Sequence, residues 1–182
     1  MKGFSANDNP SHQGATNTWF TPKRIVGALG GFDLDPCTQS FRPFDTALRH
    51  IEYDRGQCGI EQEWSGRVWL NPPYGKDVGV WLEKLERHGN GIALVFSRTE
   101  TRWAQRALSK CDGVLFLKGR ISFIHETGKK SHNASNGSML LFYGKDNLKY
   151  KKSLPGQFLE TLTDKTEHMS DDVGQLESGF KS

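Results

Sequence analysis

The chain has 182 residues, 35% of them hydrophobic, with three cysteines and a formal net charge of +3. That length supports one domain with a real core, and the sequence holds neither an apolar run of the roughly 18 residues that a transmembrane helix needs nor a signal-peptide pattern. Cys37, Cys58 and Cys111 form no C-x-x-C pair and the six histidines have no metal-ligand spacing, so disulfide scaffolds and zinc sites are excluded. What remains is a protein expected to be soluble and intracellular, with reduced thiols and no membrane partner.

The mean hydropathy of −0.62 is low for a compact fold and points to polar ends. Residues 1–15 are polar and aperiodic and read as a flexible arm. From Glu160 onward six acids face two lysines, so that end carries −4 and the rest carries +7. A basic body suggests a polyanionic partner, against the plainer alternative of a solvated surface.

In chain order, Thr21-Pro22 reads as an N-cap followed by the first helical position, with a helix over 23–29 that Gly30-Gly31 ends. Residues 32–37 alternate as a short strand, Phe32 and Leu34 on one side, Asp33 and Asp35 on the other, and Pro36 is expected to stop it. Acids at the carboxyl end of so short a strand suit ribose hydroxyls or an ammonium group, or else they are turn acids. A further short strand is expected over 47–54, with Asp54 at its end. Val68-Trp69-Leu70 suits a buried strand that Pro72 and Pro73 must terminate.

The loop Asn71-Pro72-Pro73-Tyr74 is the most informative stretch. Pro72 lacks an N–H and leaves a free carbonyl, Asn71 adds a side-chain carbonyl, and Tyr74 adds a flat face. Two acceptors and a stacking plane on a stiff turn fit a planar group bearing an NH2, against the bland alternative of a proline turn around a buried tyrosine. Beyond it the spacing predicts a helix over 77–88, a buried strand over 92–96, a helix over 101–110 and strands over 113–117 and 138–143. The last two have no helix between them and are expected to pair as an antiparallel hairpin. From residue 153 the chain reads as a polar acidic tail with one short helix near 158–162. The pattern is α/β with a mostly parallel sheet and one reversed strand, a body over 16–152 between two tails.

At this point the residues carry a resemblance. Trp-Phe-Thr-Pro (19–22), Phe-Asp-Leu-Asp-Pro-Cys (32–37), Trp-Ser-Gly-Arg-Val-Trp-Leu-Asn-Pro-Pro-Tyr-Gly (64–75), Arg-Thr-Glu-Thr-Arg-Trp (98–103) and Gly-Arg-Ile-Ser-Phe (119–123) resemble, in this order, the phage-type, Dam-like DNA N6-adenine methyltransferases. The likeness covers about 16–144. It implies a Rossmann-like fold that uses S-adenosylmethionine as cofactor and double-stranded DNA as substrate. Asn71, Pro72, Pro73 and Tyr74 match the catalytic loop. Thr21 and Pro22 match the opening motif near the cofactor, and Asp33 and Asp35 the acidic strand end expected to hold it, with Asp54 as a further candidate beside Asn71. One departure stands out: Pro36-Cys37-Thr38 occupies the position where many such enzymes carry a glycine-rich turn. Arg98, Arg102, Lys118, Arg120, Lys129 and Lys130 follow strand ends and are expected to meet DNA phosphates. No metal is implied. A monomer in the cytoplasm of a bacterial host, phage or prophage encoded, is expected. Transfer to another amine, in RNA or on a protein glutamine, and a non-catalytic DNA-binding module are the competing readings.

Overall fold

The computed structural model describes residues 19–73, 75–125 and 136–161, Trp19 by its backbone alone. The expected arm over 1–15, the tail beyond 161, and Tyr74, Lys129 and Lys130 lie outside the described residues.

Strands β1 (Trp19–Phe20), β2 (Leu34–Thr38), β3 (Arg49–Glu52), β4 (Val68–Leu70), β5 (Gly91–Phe96), β6 (Gly113–Leu117), β7 (Ile124–His125), β8 (Ser138–Tyr143) and β9 (Gly156–Glu160) combine with helices α1 (Lys23–Ala28), α2 (Val78–His88) and α3 (Arg102–Lys110). Seven strands form one sheet in the order β3-β2-β4-β5-β8-β6-β9, and β1 pairs with β7 in a separate two-stranded sheet. Strands β3, β2, β4 and β5 are parallel neighbours. Strand β8 runs against both β5 and β6, and β9 runs against β6. Strand β6 therefore shares the direction of β5, and the carboxyl ends of β2 to β6 face one edge. This mixed α/β architecture with a mostly parallel sheet fits a methyltransferase-like fold.

Burial on both faces explains the apolar run of β5, whose residues 91–95 are all buried. On one face Ala93, Val95, Leu34, Leu70 and Leu141 meet Val78, Leu82 and Leu85 of α2 and Ala104 and Ala107 of α3. On the other, Ile92, Leu94, Trp69, Leu140 and Phe142 meet Ile25, Val26 and Leu29 from the α1 segment. Each fully buried leucine contributes about 1.5–3 kcal/mol relative to an exposed one. Helix α3 is capped by Thr101, whose hydroxyl accepts from the Ala104 amide at 3.3 Å. Helix α2 stops at Gly89, which adopts φ 73° and returns its amide to the Leu85 carbonyl.

The structure departs from the sequence expectations in four places. Strand β2 does not end at Pro36 but runs through it to Thr38. The pairing of β2 with β3 shifts register between Asp35 and Thr38, and a proline without an N–H is tolerated at such an irregularity. Thr21 does not cap α1; Pro22 is the N-cap, with no side-chain cap bond. The 113–117 and 138–143 strands pair, but not as a closing hairpin: β7 interrupts the connection and β9 adds outside β6. Finally, the helix expected near 158–162 is absent. Residues 156–160 form the edge strand β9, because Phe158 points inward onto Phe142, ring centroids 5.7 Å apart, while Leu159 is exposed.

Candidate active site

Strand β2 has β3 on one side and β4 on the other, so the chain leaves β2 in one direction and returns past it in the other. The carboxyl ends of β2 and β4 thus flank a topological switch point, where open α/β sheets leave a crevice for ligands. Asn71 follows β4 there, and Cys37 and Thr38 close β2.

These two strand ends are joined. The Cys37 thiol donates to the Asn71 backbone carbonyl, Sγ to O 3.1 Å. Burial, and the nearby Asp35 carboxylate, push the Cys37 thiol well above its ordinary range, so it stays protonated and remains a donor. The Asn71 side-chain Oδ1 is buried and has no hydrogen-bond partner among the described residues. An amide oxygen left in that condition costs about 1–3 kcal/mol, which a ligand donor would recover. Pro72 behind it is buried and Pro73 is exposed.

Asp35 is buried beside this junction, 4% exposed. One carboxylate oxygen accepts from the Cys37 amide at 3.3 Å and the other from the Thr46 hydroxyl. Burial raises its pKa to about 6 against the downward pull of Thr46, the Cys37 amide and Arg42. Bonded at both oxygens and closed to solvent, unlike the exposed Asp54, it braces the β2 turn. Asp54 stands just beyond β3 on the same sheet edge. It accepts from the Ser40 amide at 2.8 Å and the Ser40 hydroxyl at 2.5 Å, tying the loop after β2 to the end of β3. Its slight burial opposes ionisation, and the Ser40 bonds outweigh that and hold its pKa below the ordinary value. Arg42 stiffens the same loop, donating to the carbonyls of Gln39 at 2.8 Å and Ser40 at 3.3 Å and pairing with Glu52 at 2.7 Å.

Asp33 is not brought to this site. It precedes β2, at the opposite end from the crevice, and accepts from the Arg67 amide at 2.6 Å. Because β2 starts at Leu34 and runs on through Pro36 to Thr38, neither acid stands at its carboxyl end: Asp33 precedes the strand and Asp35 is its second residue. Thr21 is 4% exposed, and its hydroxyl is buried with no hydrogen-bond partner among the described residues. Freed from the capping role, it is a second orphaned polar atom, contributed by the segment that also holds Pro22.

Arg98 follows β5, Arg102 opens α3, and Lys118 and Arg120 follow β6, so all four lie at the edge that carries Asn71. All four are exposed, and Arg98 also pairs with Glu100 at 3.4 Å. Sequence reasoning missed Cys37, Thr46, Ser40 and Arg42. Cys37 is brought to Asn71 by the pairing of β2 with β4, which no local sequence pattern announces. Among the described residues no His, Cys, Asp and Glu side chains gather into a group able to hold a metal ion. No helix among them is long and apolar enough to cross a membrane.

Residues 10–172 match the model of one protein family, described as DNA N-6-adenine-methyltransferase (Dam). No curated protein and no solved structure matches the chain.

Proposed function

This chain belongs to the DNA N-6-adenine-methyltransferase (Dam) family, and from that premise we propose that it moves a methyl group from S-adenosylmethionine to the N6 amine of an adenine flipped out of double-stranded DNA. The observation that carries the reading is the buried Oδ1 of Asn71 at the switch point of the sheet, without a hydrogen-bond partner among the described residues. Such an oxygen suits an amino donor, and the family acts on an adenine amine in DNA.

S-adenosylmethionine supplies a methyl group already activated on a sulfonium sulfur. Asn71 Oδ1 accepts one amino hydrogen and the Pro72 carbonyl the other, which draws the nitrogen from planar toward tetrahedral and frees its lone pair. The two prolines fix the acceptors in advance, so that positioning and electrostatics supply the acceleration. The buried hydroxyl of Thr21, without a partner among the described residues, fits a polar cofactor. Thr21, Pro22, Asp54 and Asn71 would hold it, and Asp35 would support them by bracing the β2 turn. Asp33 has no part in this reading.

Flipping the adenine costs a few kcal/mol of unstacking and unpairing. Tyr74, assigned from the sequence as the stacking face, would return about 1–3 kcal/mol. Arg98, Arg102, Lys118 and Arg120, with Lys129 and Lys130 from the sequence, would contact phosphates and orient the duplex.

The test is Asn71→Ala. Loss of one such acceptor lowers kcat about 100-fold or more, while calorimetry finds S-adenosylmethionine affinity within a few fold of wild type. Near-normal turnover in this variant would remove Asn71 from the chemistry.

A further inference from the structure

We propose that Cys37 is a positioning residue for methyl transfer, its thiol holding the Asn71 peptide in register with strand β2. The inference rests on the reading of Asn71 given above and extends it to a residue that does not touch the adenine.

The backbone ladder explains why a side chain is needed there. Strands β2 and β4 are parallel neighbours with Leu34 opposite Val68, and beyond that pair the Cys37 side chain reaches the Asn71 carbonyl. Strand β4 has ended at Leu70, and β2 passes through the irregularity at Pro36. Pro72, the next residue, has no N–H to offer a neighbouring strand. Beyond Leu70 the two chains would separate, and the Sγ–O contact of 3.1 Å closes the gap that the ladder leaves.

That bond fixes the Asn71–Pro72 peptide plane, and with it the Cα from which the Asn71 side chain projects. Asn71 Oδ1 has no partner of its own among the described residues, so its aim depends on the backbone that carries it. Cys37 is held in turn, because its amide donates to Asp35 and Asp35 accepts from Thr46. The run Thr46, Asp35, Cys37, Asn71 thus transmits the geometry of β2 to the catalytic loop. A closely packed Gly59 stands over the same turn: a Cβ added there would meet the Pro36 carbonyl oxygen at 1.9 Å. The turn therefore has little room to rearrange.

The experiment compares Cys37→Ser, Cys37→Ala and Cys37→Val in the full chain under saturating DNA and S-adenosylmethionine. Serine keeps a donor on a shorter arm, valine keeps the volume without a donor, and alanine loses both. Misplacement of a reacting group by a fraction of an ångström to about 1 Å lowers turnover steeply, so Ala and Val should each lower kcat about tenfold or more. Ser should recover to within about threefold of wild type. KM for S-adenosylmethionine should stay within about twofold in all three. A merely structural cysteine would instead show losses ordered by volume, with Val closest to wild type. That ordering, or wild-type kcat in Ala and Val, would overturn the inference while leaving the role of Asn71 standing. Valine keeps the test open where alanine fails to fold. A wild-type chain that transfers no methyl group to DNA would overturn the proposed function, and this inference with it.

Discussion

Replacing Asp35 by asparagine should change how stability depends on pH, in a direction that the structure fixes. Asp35 is buried, bonded among the described residues to the Thr46 hydroxyl and the Cys37 amide, and burial raises its pKa from an ordinary 3.8 to about 6. Between those values the folded chain keeps a proton that the unfolded chain has released. Folding is then favoured at low pH, and that advantage is lost as the pH rises through the folded value. A shift of about two units, at about 1.4 kcal/mol each, amounts to about 3 kcal/mol. The side-chain amide of the Asp35→Asn variant has no proton to gain or lose. Urea unfolding of both proteins at intervals from about pH 4 to 8 isolates this group, since the other titrating groups are shared. The wild-type advantage over Asp35→Asn should shrink by about 2–3 kcal/mol across that range, most steeply near about pH 5. A difference that stays flat, or that grows with pH, would refute the reasoning, because the second result is the signature of a carboxylate stabilised in its charged form.

Arg67→Ala should destabilise the fold by about 3 kcal/mol, because its guanidinium lies 4.1 Å from the Phe32 ring and 4.4 Å from the Tyr150 ring and donates to the Gly31 carbonyl. Its effect should appear in the urea midpoint and leave S-adenosylmethionine affinity unchanged. Tyr74→Ala should weaken DNA binding by about 1–3 kcal/mol and Tyr74→Phe by much less, measured by titration of a fluorescent duplex; equal losses would argue against stacking. The double variant Lys118→Gln, Arg120→Gln should lower DNA affinity and flatten its dependence on salt by up to about two phosphate contacts, seen in binding isotherms over a range of salt. An unchanged salt slope would move those residues off the DNA path.

Much of this site was legible because it depends on local chemistry. A strand of Val68, Trp69 and Leu70 running into two prolines could end in only one way, and the apolar run of β5 could sit only in the middle of a sheet. Charges after strand ends fell on one edge because parallel strands share a direction. The rest depended on pairings that no local pattern carries. Pro36 looked like a terminator because a proline removes one ladder bond, yet the register shift beside β3 absorbs that loss. Thr21-Pro22 has the composition of a cap, but the backbone at Pro22 takes the capping position and leaves the hydroxyl unused. Asp33 and Asp35 looked equivalent by alternation, but β2 begins between them, so Asp33 stands outside the strand and Asp35 within it. Residues 156–160 were too short and too polar to announce a strand, and only the free edge of β6 makes them one. The Cys37 contact joins residues 34 apart in the chain and required the sheet order to be seen.

The most direct measurement is the chemical identity of the methylated product. The purified chain would be incubated with methyl-labelled S-adenosylmethionine and, separately, with double-stranded DNA, RNA and protein, and each product digested and resolved by mass. The account predicts label in the duplex DNA as N6-methyladenine, lost in Asn71→Ala. Label confined to RNA or to protein glutamine, label on a DNA base other than adenine, or no transfer at all would contradict it.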